Sequence, residues 1–466
     1  MTFLLKRIGY QGLAGLLCLI IGLPVVFLFQ GTGDAGDSIH HYQYARYAWE
    51  NPENLFNHWA KPLYVLLASP FAQFGFQGIK LFNLICSSVA VYFTIRTARN
   101  LHLPSPWLPG LLLMAAPLNM ALTFSGLTEP LFAAVLSAGI CLFTSNKYAG
   151  VALLLSFLPF VRSEGLIICA TAAVYLLLKK QYRSIPLLAA GHVIYSLAGA
   201  AIHGDVLWVF TKIPYAKASS TYGNGDLFHF ANQLVYVSGL PFLVLFLVGL
   251  VGLAVGWRHF QQHGSEWLLL IVGGFAAFFV AHSLFWYLGI FNSMGLNRVL
   301  VSVLPLMALV AAAVPKLLLT LQWRKTPVTV VAVLFVAYLI AFPFTGNHAS
   351  LHRYQLQPQP ELVMAKRVLK SLPEPVPAPV LSNAPYFTYL LERNPFDLQE
   401  HILLSSESLA LAPAGSIVCW DNWFSTVEGG IPEQSLLNDP RLELIARADT
   451  VARDRPISVA VFRVRK

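Results

Sequence analysis

Two aspartates three residues apart, Asp34 and Asp37, stand in a glycine-punctuated segment, Gly33-Asp34-Ala35-Gly36-Asp37-Ser38-Ile39-His40-His41, directly after an apolar run. Carboxylates are the usual general bases where an acceptor hydroxyl or amine must lose a proton in sugar chemistry. Asp37 precedes a stretch with helical character, Ser38 to Trp49, so it also suits an N-cap, and the two roles are compatible. Asp34 reads as a turn residue, with a second acid or a metal ligand as alternatives. His40 and His41 are adjacent and so point in different directions on a helix. That argues against a shared metal and leaves His41 as a substrate contact; a divalent metal at the acids stays open, and no cofactor is assigned.

Further charges occur singly at the edges of apolar runs. Glu129 lies in Thr128-Glu129-Pro130-Leu131-Phe132, Arg162 and Glu164 in Arg162-Ser163-Glu164-Gly165, and Arg298 after Asn297. Charge near membrane depth is costly and marks function or pairing. Arg162 and Arg298 look unpaired, and the planar guanidinium matches phosphate oxygens. Pairing of Arg162 with Glu129 or Glu164 is the competing reading.

These residues need a scaffold, and composition names its class. Of 466 residues, 56% are hydrophobic and 11% charged, against about 25% charged in soluble domains. Lipid must cover much of such a chain. The net charge of +9 does not point to nucleic acid, because the basic residues fall in small groups between apolar stretches. The five cysteines show no metal spacing and no disulfide framework.

A helical span needs about 20 mostly apolar residues, about 17 at the short end. About eleven stretches are read as spans, the fifth and sixth of them short: 11–30, 80–97, 106–124, 129–145, 149–162, 165–179, 185–202, 233–256, 267–289, 299–322 and 326–345. Residues 63–76 are also short, and counting them as a span would break the positive-inside pattern downstream, so they read as an interfacial helix. Loops holding Lys6/Arg7, Arg96/Arg99, Lys147, Lys179/Lys180/Arg183, Arg258 and Arg324/Lys325 are the cytoplasmic ones. The outer face then receives the long loop 31–79, the loop 203–232 and everything after about 346. The expected fold is an α-helical polytopic membrane domain, 1–345, followed by a small extracytoplasmic α/β domain, 346–466. In that tail Glu361–Leu372 reads as a helix, and Pro379–Ser382, Ser416–Trp420, Leu442–Ala448 and Ile457–Val464 as strands. Lys212–Asp226 is either a lid or an ordinary loop. Trp420 and Trp423, flanking Asp421, suit core packing better than sugar stacking.

An aspartate soon after the first span, an aromatic-rich helix and then His58-Trp59-Ala60-Lys61-Pro62-Leu63-Tyr64 resemble the first loop of GT-C glycosyltransferases. The likeness is to the protein mannosyltransferase and aminoarabinose transferase branch, which carries a related Lys-Pro-Pro-Leu segment; this chain has one proline there. Thr128–Phe132 and Arg162–Gly165 resemble elements of GPI-type and other polyprenyl-phosphate mannosyltransferases. The resemblance covers about residues 30–215. It implies that Asp37 activates the acceptor, that Lys61, Arg162 and Arg298 meet the carrier phosphate, and that Glu129 and Glu164 orient substrate or hold metal. The acidic Asp-Glu pair of some members is absent. The function implied is inverting transfer of a mannose-like or other sugar from a polyprenyl-phosphate carrier to a glycan, lipid or protein acceptor. The alternative is a transporter or flippase of lipid-linked sugars, which predicts broken or polar helices and an internal repeat; the sequence displays neither. No Asn-x-Ser/Thr site occurs in the outer segments, which favours a bacterial inner membrane.

Overall fold

The computed structural model describes residues 2–216, 218–320, 325–345, 357–377, 379–452 and 455–465. Arg324, expected on the cytoplasmic side, lies outside them, as do the side chains of Lys6, Arg7 and Lys325.

Among the described residues each expected apolar stretch is mainly helical. Five helices among the described residues are long and apolar enough to cross a membrane: Gln11–Leu28, Gly75–Asn100, Tyr182–His203, Glu266–Leu288 and Asn297–Leu318. Others are shorter or broken. The expected span 106–124 divides into Leu108–Ala115 and Pro117–Thr123, because the residue before a proline is driven to extended backbone, as Ala116 is. The expected span 233–256 divides into His229–Ser238 and Leu240–Val255, which meet at 118°. Gly239 sits at that corner with φ +78°, a conformation open to glycine, and Pro241 opens the second helix. Large apolar side chains stay on the outside, among them Ile20, Ile21, Leu197, Val251 and Val255. That is the arrangement lipid requires rather than water. Residues 63–76 form no span: Pro62–Ala72 is a short helix packed on Asp37–Arg46 and Gly75–Asn100.

The C-terminal domain is a five-stranded mixed sheet with helices. Its strands are β1 (Val380–Leu381), β2 (His401–Ile402), β3 (Ile417–Asp421), β4 (Leu442–Ala452) and β5 (Arg455–Val464), in the order β2-β1-β3-β5-β4. β1 runs parallel to β2 and β3, and β5 antiparallel to β3 and β4. Alternation along the strands feeds two cores. Ile417, Cys419, Val459 and Val461 pack on one face with helix Pro360–Leu369, while Val418, Trp420, Ala460 and Phe462 pack on the other. Four strands lie where the sequence places them. The short β2 was not expected.

The Asp37–Arg46 helix joins the two domains. Ile39 is fully buried in the first face of the sheet domain's core. Gln43 Nε2 donates to Thr388 Oγ1 at 2.8 Å and to the Pro385 carbonyl at 3.2 Å. On the membrane-domain side, His41 stacks on Trp59 with ring centroids 5.0 Å apart, and Tyr42 meets Phe76 edge-on. A helix held on both sides keeps its first residue, Asp37, in a fixed place.

Candidate functional site

Asp37 is the first residue of its helix rather than the residue before it, and Gly36 is the N-cap. Capping comes from Asp34: its Oδ1 accepts from the backbone N–H of Gly36 and of Ser38, each at 2.9 Å. The capping role expected at Asp37 therefore belongs to Asp34, and the Asp37 carboxylate is left free to face Arg298. The turn before the helix is pinned by Ser38 Oγ, which donates to the Thr32 carbonyl and accepts from Gly126 N–H at 2.6 Å. A Cβ on Gly126 would come within 2.3 Å of the Ser38 carbonyl oxygen, so this approach needs glycine. Asn83 Nδ2 grips the same linker, donating to the carbonyls of Ser125 at 2.7 Å and Leu127 at 2.9 Å. The linker leads straight into the helix that begins at Glu129, so Asp37 and Glu129 are positioned together.

Arg298 lies on a 3-10 turn, Asn297–Val303. Its two terminal nitrogens contact Asp34 Oδ2 and Asp37 Oδ2, and its Nε lies 3.6 Å from Glu129 Oε1. Arg162 approaches the same Glu129 oxygen at 2.7 Å, and its other nitrogen holds Glu164 Oε1 at 3.0 Å. His282 Nε2 stands 3.7 Å from Glu164. Neither arginine is unpaired, contrary to its look in the sequence. For Arg162, pairing with Glu129 and Glu164 is what the structure shows. Glu129 is fully buried, with Oε2 making no hydrogen bond; Arg162 Nε, Arg298 Nε and His282 Nε2 are likewise buried without one.

Lys61 is different. It is buried, yet among the described residues it makes no ion pair; its ammonium sits 4.3 Å above the Tyr215 ring. Its backbone is left-handed, φ +67°, which is costly for a residue with a side chain and clusters at functional positions. Burial pulls its pKa down to about 8, only partly opposed by Glu164, with Arg162 adding to the fall. Burial also pushes the Asp34 carboxyl up, against Arg298, and the neighbouring Asp37 charge adds to the rise. For Asp37 burial is outweighed by Arg298, His41 and His40, which hold its carboxyl below the usual range. Burial pushes His41 down to about 3 and His40 to about 4, so both imidazoles are neutral near pH 7. His41 Nδ1 lies 2.7 Å from the Asp37 carbonyl, a contact within the helix rather than one aimed at the carboxylates.

Thus Asp34, Asp37, Glu129, Arg162, Glu164 and Arg298 form one connected cluster, with Lys61 beside it and His41 behind Asp37. Among the described residues no group of three or more His, Cys, Asp or Glu is arranged to hold a metal ion. The acids here face guanidinium groups, which does not suit a cation site. In the sequence His282, within an apolar span, reads as a helix–helix hydrogen-bond partner rather than an active group; the structure sets it at the edge of the cluster, beside Glu164. Sequence reasoning missed the sheet domain's contribution: Phe424 packs beside Gly36, and Glu428 Oε1 accepts from Tyr222 Oη at 3.2 Å. In the 212–226 loop Tyr222 touches the sheet domain and Tyr215 touches Lys61. Trp420 is buried in the core and donates to the Ile431 carbonyl at 2.8 Å.

No family model matches this sequence, and no curated protein matches it. Solved structures do match its fold. ArnT from Cupriavidus metallidurans bound to undecaprenyl phosphate superposes with a TM-score of 0.63 at 13% identity, over 97% of this chain and 98% of that one. The apo state of the same protein gives 0.59 at 13% identity, over 96% and 97%. The likeness is one of fold and extends over nearly the whole of both chains.

Proposed function

We propose that this chain is a GT-C glycosyltransferase that takes a sugar from a polyprenyl-phosphate carrier and passes it, with inversion, to an acceptor at the outer face of a bacterial inner membrane. The observation that carries the reading is the meeting of Asp37 with Arg298, residues 261 positions apart, inside a bundle whose fold matches a protein solved with undecaprenyl phosphate. A base and a phosphate-matching cation brought together across that separation are what the reaction needs.

In the proposed step the acceptor oxygen attacks the anomeric carbon and the carbon–oxygen bond to phosphate breaks. The acceptor proton passes to Asp37, and the carrier leaves as polyprenyl phosphate. Cationic groups beside the leaving phosphate stabilise its developing charge. Lys61 is the one cation of the set with no carboxylate partner among the described residues, so it is the first candidate for the phosphate. Arg298 is the second. While it holds Asp37 it keeps that carboxylate a weak base. A phosphate that draws Arg298 away restores basicity at the moment donor is present. Arg162, committed to Glu129 and Glu164, braces the cluster. The eleven-span topology with a cytoplasmic N-terminus belongs to the same proposal. Thiol labelling at exposed positions 147 and 226 tests it: only position 226 reacts from outside.

The helix breaks that a transporter would use do exist here, at Ala116 and Gly239. Their polar side chains serve freed backbone, Asn119 Nδ2 donating to the Leu113 carbonyl at 2.8 Å and Ser238 Oγ to the Leu234 carbonyl at 2.8 Å, and neither break carries a charge, so they do not favour transport. Mass spectrometry of lipid-linked sugars and glycans in cells with and without the protein tests the function. Donor accumulation with loss of one glycan substituent is expected on deletion. Unchanged profiles contradict the proposal.

A further inference from the structure

A cavity of about 510 Å³ opens between the first outer loop, the outer end of helix Ala190–His203 and the sheet domain. None of the charged cluster lines it. Its wall carries two aromatic rings, Tyr44 and Phe396, with centroids 4.7 Å apart, and amide and imidazole groups from Asn54, Asn57, His203 and His401. Glu53 is the only charged residue in the lining, and no lysine or arginine contributes. A phosphate has nothing to bind there. Aromatic surface with a few placed polar groups, in a volume of this size, is the usual make-up of a small-ligand site. With neutral amides, the fit is to a hydroxyl-rich, uncharged molecule.

Tyr44 lies on the Asp37–Arg46 helix, seven residues from Asp37, about 10 Å along the axis. We infer that this cavity is an acceptor subsite holding neutral saccharide units a ring or two from the hydroxyl that Asp37 deprotonates. The acceptor is then a glycan, and the sheet domain, which supplies Phe396 and His401, recognises it. This inference rests on the glycosyltransferase reading for the direction of transfer, while the binding it asserts is measurable alone.

The test is saturation-transfer NMR on the full chain in nanodiscs, with neutral trisaccharides of glucose, mannose and N-acetylglucosamine, and with inorganic phosphate as competitor. At least one trisaccharide binds, and phosphate does not displace it. Phe396→Ala removes one of the two rings of the wall and weakens binding about tenfold, the upper scale of one aromatic contact. Leu403→Trp, at a rim position 67% exposed, blocks the mouth without entering the core. Asp37→Asn binds as the wild type does, so a failure of the base assignment shows in transfer and a failure of the subsite shows in binding. Absence of binding by every trisaccharide, or binding unchanged in both Phe396→Ala and Leu403→Trp, overturns the subsite.

Discussion

The helix Gly165–Leu178 has a cluster of buried charge at each end, and the two are built differently. At its C-terminal end Glu266 Oε1 accepts from Tyr175 Oη at 2.7 Å and meets Lys179 Nζ at 3.2 Å. Its Oε2 accepts from Ser265 Oγ at 3.1 Å, so one carboxylate has one cation and two hydroxyls, and both its oxygens are satisfied. At its N-terminal end Glu164 joins Arg162, Glu129, Arg298, Asp34 and Asp37, with Lys61 alongside. Four carboxylates there face two arginines and a lysine that pairs with none of them, and several buried polar atoms make no hydrogen bond. A purely structural pair is expected to be satisfied. The surplus at the N-terminal end is what a site that exchanges partners with a substrate would show.

Substitutions sharpen the contrast. Arg298→Ala has the largest expected effect: it strips the counter-charge from two aspartates and from buried Glu129. A loss of roughly 3 kcal/mol is expected, the low end for a broken buried pair because both aspartates keep some contact with water. Thermal denaturation of the purified protein measures it, and transfer is lost too. Next is Lys61→Met, which keeps the bulk and removes the charge. The donor KM rises about tenfold or more, the scale of one lost charge-assisted bond. In the wild type the ammonium is lost as pH climbs through about 8, so kcat/KM for donor falls on that alkaline side. Bound phosphate raises the Lys61 pKa, so kcat falls only at higher pH. The limb in kcat/KM disappears in Lys61→Met. The smallest effect belongs to the other end: Lys179→Met costs about 1 kcal/mol or less, since that lysine is one-third exposed, and transfer is unchanged. Equal loss of transfer from Lys179→Met and Lys61→Met would erase the distinction.

The sequence showed where apolar helices lie, because twenty-residue apolar runs have few other uses. It did not show where they break. Pro117 and Gly239 could have announced the corners, but either residue is also tolerated within membrane helices. Four strands were legible from alternation, whereas β2 at His401–Ile402 is too short to alternate. The acids and arginines of the site stood out as charges at apolar edges. Their pairing did not, since Arg298 reaches Asp34 and Asp37 across more than 260 residues. The exchange of roles between Asp34 and Asp37 was also hidden: an aspartate three residues before a helix and one at its start have the same sequence signature. Nothing in the tail marked Phe424 or Glu428 as neighbours of the first loop, because docking between domains leaves no local pattern.

The most direct test is turnover by Asp37→Asn with purified polyprenyl-phosphate sugar. Asp34 caps the helix, so the variant keeps its fold and its donor binding. The account predicts that turnover falls about 10²–10⁴-fold, the scale of general-base loss, with Asp34→Asn losing less because Asn keeps the capping oxygen. Wild-type turnover in Asp37→Asn would contradict the assignment of Asp37 as the base.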